Sequence, residues 1–232
     1  MFDIIIKQKP IIVNCYTNNY SVYEHSKIQK ATNFVPQWFK KLNNDKRNMT
    51  GCPGFIELYK KSFIYPMWED LRFFSYESQD QNQEPELFEE SASGQSLLSS
   101  HNAHEHNYSF RPGFKHVKFT SPWYIKTKSD LDWIVVAPFW NNEQKNADVF
   151  IPPAIDNYKH QHSTTWQMFI KTDGTPVTFK AGEPLMQMIP KTDKSIILNT
   201  YYDPPMVKKL DESTNPIHFF KSYYKKIKMK KK

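Results

Sequence analysis

The 232 residues are 39% hydrophobic and 16% aromatic, enough to bury one substantial core and too much for a chain that stays unfolded. Sixteen prolines against six glycines exclude long uninterrupted helices, and two cysteines exclude a disulfide framework. The net charge of +7 is concentrated at one end. Seven lysines and no acids fall within Ile217–Lys232, while the rest of the chain carries 24 basic and 24 acidic residues.

In chain order, Asp3–Asn14 is rich in Ile and Val and reads as a strand broken by Pro10. Pro36–Leu42 reads as a short helix, with Pro36 at its start and Trp38, Phe39 and Leu42 on one face. Gly51-Cys-Pro-Gly54 has the residue types of a tight turn. A strand is expected at Leu71–Tyr76. The next stretch, residues 77–106, holds seven acids and neither Lys nor Arg, and reads as a long acidic insert without regular structure.

From Phe114 the pattern becomes plainly β. Strands are expected at His116–Thr120, Trp123–Thr127, Trp133–Ala137, Ala147–Ile151, Thr165–Lys171, Pro176–Phe179, Leu185–Ile189 and Ser195–Tyr201. Turn chemistry separates them, at Asp173-Gly174 and Ala181-Gly182 among others. Residues 216–232 read as a basic amphipathic helix. Its stripe of Phe220, Tyr223, Tyr224 and Ile227 lies beside Lys221, Lys225, Lys226 and Lys228, the set expected to dock on a partner.

The expected fold is therefore mainly β: an antiparallel sandwich, jelly roll or small barrel with a few short helices. One domain spans 1–215, and 216–232 forms the C-terminal basic helix. The opening residues carry no secretory leader pattern, and no apolar run approaches the about 20 residues of a membrane helix, so no transmembrane segment is expected. The thiols fit a reducing compartment.

Three constellations bear on chemistry. His160-Gln-His162 with Gln167, Gly174 and Lys180-Ala-Gly-Glu-Pro184 resembles the first motif of the cupins. That resemblance implies a divalent-metal-dependent enzyme in which His160, His162 and Gln167 hold one divalent ion. Gln167 stands where the family has Glu, and Leu185 stands near the place of the second motif's His. Pro153-Ala-Ile-Asp-Asn-Tyr158 with Phe179-Lys-Ala-Gly-Glu-Pro-Leu-Met-Gln-Met-Ile189 resembles the dUTPase-like barrels. It implies a nucleotide site in which Asp156 faces a deoxyribose hydroxyl and Tyr158 stacks beneath the sugar, although Ala137-Pro-Phe-Trp140 lacks the phosphate turn's residues. The run His101-Asn-Ala-His104-Glu-His106 reads as solvent-exposed. Trp68, Trp123 and Trp140 read either as a contact patch or as core.

Over the whole chain, Val35-Pro-Gln-Trp-Phe39, Met49-Thr-Gly-Cys-Pro-Gly-Phe55, Tyr65-Pro-Met-Trp68, Ser121-Pro-Trp123, Ala137-Pro-Phe-Trp140 and Ala181-Gly-Glu-Pro184 resemble a conserved family of marine bacteriophages, of cyanophage type. The resemblance implies a phage-encoded single domain and supplies no activity. The reading expected from the whole is a non-enzymatic β module in the host cytoplasm or the virion. It binds a protein partner or its own copies, rather than nucleic acid, through the C-terminal helix.

Overall fold

Leu71-Arg-Phe-Phe-Ser-Tyr76 buries every second residue, as a strand with one face on a core must. The same alternation runs through most of the chain. The computed structural model describes residues 9–42, 48–77, 85–100, 113–141, 148–159 and 162–214. In chain order these form β1 (Ile11–Thr17), α1 (Tyr20–His25), β2 (Gln29–Lys30), α2 (Gln37–Lys40), α3 (Pro53–Lys61), β3 (Phe63–Pro66), β4 (Leu71–Tyr76), β5 (Glu86–Ser91) and β6 (Leu98–Ser100). There follow β7 (Phe114–Thr127), β8 (Asp132–Val136), β9 (Val149–Phe150), β10 (Ala154–Asn157), β11 (Ser163–Lys171), β12 (Val177–Phe179), β13 (Pro184–Pro190), β14 (Ile196–Tyr202) and α4 (Pro204–Thr214).

The strands make three sheets. The first runs β14-β1-β7-β11-β9, with β6 also on β7; the second runs β10-β8-β13-β3-β2; the third runs β12-β4-β5. The pairing is antiparallel except that β14 lies parallel to β1. The first sheet faces the other two across one buried cluster, so the molecule is mainly β and built as a sandwich. Large rings cross the gap: Tyr65 of β3 meets Trp166 of β11 edge-on at 4.8 Å, and Trp68 meets Phe119 of β7 at 5.2 Å. Buried among them, the Tyr65 hydroxyl bonds to Ser121 Oγ, and Thr164 Oγ1 donates to the Trp123 carbonyl at 2.7 Å. These bonds satisfy polar groups that water cannot reach.

A second cluster covers the outer face of β3. Ala31, Phe55, Tyr59 and Ile64 form its centre, with Trp38, Phe39 and Trp140 packed around them. Phe39 stacks on Phe55 at 4.5 Å, and Trp38 Nε1 donates to the Trp140 carbonyl at 3.2 Å. With cover on both faces, β3 is buried at all four positions.

Several expectations need correction. Where a tight turn was expected at Gly51-Cys-Pro-Gly54, a helix begins: Pro53 opens α3 at a position whose N–H would have no partner in any case. The acidic insert contains β5 and β6; residues 78–84 and 101–112, with His101, His104, Glu105 and His106, lie outside the described residues. The two strands expected on either side of Ser121-Pro122 are one, β7, which passes Pro122 where the register against β11 shifts between Ser163 and Thr165. A helix was not expected at Pro204–Thr214. Asp203 caps it, its Oδ1 accepting the Met206 N–H at 2.9 Å. The expected helix at 216–232 falls outside the described residues. Among the described residues no helix is long and apolar enough to cross a membrane.

Candidate functional site

Of the expected metal set, the two described members, His162 and Gln167, do not come together. His162 precedes β11 with its side chain buried, and Nδ1 lies 3.1 Å from the Ile125 carbonyl. A carbonyl only accepts, so this bond places hydrogen on Nδ1. Gln167 is exposed on the other face of the same sheet, because Thr164, Trp166 and Met168 are the residues β11 turns inward. Gln167 therefore cannot share an ion with an inward-facing His162. His160 lies outside the described residues. Among the described residues no group of three or more His, Cys, Asp or Glu side chains is arranged to hold an ion.

The expected nucleotide pair is brought together, but as a structural bond. Tyr158 is 1% exposed, and its hydroxyl donates to Asp156 Oδ2 at 2.9 Å. The ring packs 6.4 Å from Trp133 inside the core, leaving no open face for a sugar to stack upon. Desolvation pushes the Asp156 carboxyl above its ordinary value, offset in part by the Tyr158 hydrogen bond. Burial likewise holds the Tyr158 phenol well above its ordinary value. This pair ties β10 to the core.

The three tryptophans do not form one patch. Trp123 is fully buried with Nε1 donating to the Ser26 carbonyl at 3.3 Å, Trp68 is half-buried against the main core, and Trp140 belongs to the second cluster. A groove of about 950 Å³ opens between β5 and β6 and is lined by Glu86, Glu89 and Glu90. Two of these acids, Glu89 and Glu90, are already engaged. Glu89 accepts from Leu97 N–H at 2.6 Å and Ser96 Oγ at 2.8 Å, and Glu90 pairs with Arg72 at 2.9 Å.

The surface that stands out was not singled out in the sequence. On the outer face of the β1–β14 pair the register sets Ile12 beside Ile197, Asn14 beside Asn199 and Tyr16 beside Tyr201. Ile12 is 54% exposed, Ile197 47% and Tyr201 42%. Asn199 Nδ2 donates to Asn14 Oδ1 at 3.2 Å, and Tyr16 stacks on Tyr201 at 5.3 Å. At the end of β14, Tyr202, one residue on and so turned to the other face, meets Tyr20 of α1 edge-to-face at 5.4 Å, and both are exposed. Next to this row α4 packs on the same sheet, burying Val207 and Leu210, and the Tyr124 hydroxyl of β7 donates to Asp211 Oδ1 at 2.9 Å. The ordered ladder of side chains is preorganised: its rotamers are fixed by cross-strand stacking before any partner arrives.

No protein-family model and no curated protein matches the chain.

Proposed function

We propose that this chain is a non-catalytic β module of a phage assembly, whose work is to hold a neighbouring protein subunit. The observation that carries this is the ordered row on the outer face of β1 and β14, in which Ile12, Ile197 and Tyr201 are exposed and half-buried Tyr16 stacks on Tyr201. Aromatic side chains with two rotatable bonds give large contact area at low entropic cost, and such residues dominate interface energetics. The lysine-rich segment with Phe220, Tyr223, Tyr224 and Ile227 comes after α4 in the sequence and is the second candidate for contact with a partner. The resemblance to phage sequences supports the setting, in the host cytoplasm or the particle.

Cross-linking mass spectrometry on protein recovered from the cells that make it tests this reading. Intermolecular links are expected at Lys9, near the start of β1, at Lys194, just before β14, or at Lys221, Lys225, Lys226 and Lys228. Protein recovered free of any cross-linked neighbour contradicts the reading. So does near-stoichiometric iron, manganese, nickel or zinc that His162→Ala abolishes, which would restore the metal enzyme in its place.

A further inference from the structure

The open edge of β14 fits a second copy of this chain, and we propose that two copies join their first sheets into one by antiparallel pairing of β14 with β14. This rests on the module reading above and names its partner.

Sheet edges in proteins are ordinarily blunted, because a row of free N–H and C=O groups is a template for another strand. The other described edges here follow that rule. β9 and β2 are two residues long, β12 is three, β10 follows Pro152 and Pro153, and β5 carries Glu86, Glu89 and Glu90. β14 has none of these devices. Its seven residues, Ile-Ile-Leu-Asn-Thr-Tyr-Tyr, contain no charge, proline or glycine, and they pair with β1 in unbroken register.

The backbone geometry selects the register. In a parallel ladder alternate residues direct both backbone groups to the same neighbour. The bonds Ile11 N–H to the Ser195 carbonyl and Asp203 N–H to the Thr17 carbonyl commit the odd-numbered residues of β14 to β1. Ile196, Leu198, Thr200 and Tyr202 thus direct theirs to the open side. A two-fold axis through Asn199 places Leu198 opposite the partner's Thr200 and Ile196 opposite the partner's Tyr202, so all four residues bond in both copies. On the outer face the same axis sets Ile197 opposite the partner's Tyr201 and makes the two aromatic rows continuous. The charges agree as well. β14 is flanked by Lys194 and Asp203, and reversal brings the cation at each end toward the partner's acid, while the uncharged strand avoids the repulsion that two copies of net charge +7 would otherwise meet.

The test is sedimentation equilibrium of the full chain from about 1 to about 100 µM, the range in which associations of moderate strength are resolved. The wild-type protein is expected to dimerise. Leu198→Pro deletes an open-side N–H without touching the ladder to β1, and Ile197→Lys places a charge on an already exposed outer position. Each is expected to weaken the dimer at least tenfold with an unchanged circular-dichroism spectrum; should the proline variant fail to fold, Ile197→Lys decides. A wild-type protein that stays monomeric overturns self-pairing, and so does a dimer that Ile197→Lys leaves intact. A dimer lost only on removing residues 215–232 overturns the β14 edge but leaves the module reading standing. The metal result described above would remove that reading independently.

Discussion

Asp156 and Tyr158 show what burial does to a titrating pair, with their hydrogen bond offsetting part of it at the carboxyl. Folding holds the Asp156 carboxyl above its ordinary value, so the unfolded chain loses that proton first. The sign follows: this group's contribution falls as pH rises from the ordinary carboxylate value to the folded one, and is flat above it. Asp156→Asn keeps an oxygen to accept from Tyr158 and removes the charge. The variant is therefore expected to match the wild type near pH 4 and to be equal or more stable at neutral pH, as read from urea unfolding at several pH values. Tyr158→Phe does the opposite, leaving a half-buried carboxylate without its donor at a cost of roughly 1–3 kcal/mol. Both thiols are free, but they differ in access. Cys15 is fully buried and desolvation pushes its thiol up, whereas Cys52 is half-exposed. A thiol reagent is expected to label one cysteine per native chain, Cys52, and the second only on denaturation. Rapid labelling of both would contradict the burial of Cys15. At the Asp173-Gly174 turn, Gly174 has φ +80 and an added Cβ would overlap the Tyr76 ring. Gly174→Ala is expected to cost roughly 1–3 kcal/mol in urea unfolding.

At the scale of elements, what the sequence disclosed depended on whether a signal was local. Leu71–Tyr76 and Thr165–Lys171 were legible because each concentrates aromatic and large apolar residues within a few positions. The break expected at Ser121-Pro122 was not real, because Pro122 sits where the neighbouring strand bulges and no ladder bond is asked of it. β5 was hidden because it is a half-exposed edge strand in which Glu86 and Glu90 are exposed, so its composition resembles a loop. α4 carried a readable start, an Asp before two prolines, that the sequence reading passed over. The placement of Gln167 away from His162, and of the Tyr158 hydroxyl on Asp156, was hidden for a different reason. Spacing along the chain cannot tell which face of a strand a residue takes once a bulge intervenes, nor whether a Tyr hydroxyl is spent on its own neighbour. The second cluster is a self-contained unit around α3. Phe55→Ala, at a site 5% exposed, is expected to cost about 3–5 kcal/mol and to raise amide exchange first across 31–62. Exchange that rises uniformly through the sandwich would show that the cluster is not a separate unit.

For the whole molecule, one core joins all three sheets, and the functional argument rests on what that core leaves outside. The sandwich hides most of its rings, but the β1–β14 side leaves Tyr201 in water on half-buried Tyr16, beside an edge that is long and uncharged and has no neighbouring strand among the described residues. That row was invisible in the sequence because Ile12, Tyr16, Ile197 and Tyr201 come from opposite ends of the chain and meet only through a parallel pairing, the rarer kind here. The most direct measurement is amide hydrogen exchange resolved to single residues in β14, taken below and above the association range. The account predicts that the Ile196, Leu198, Thr200 and Tyr202 amides exchange freely in dilute protein and become protected as concentration rises, while the odd-numbered amides of β14 stay protected throughout. Even-numbered amides that exchange at one rate at every concentration would contradict it.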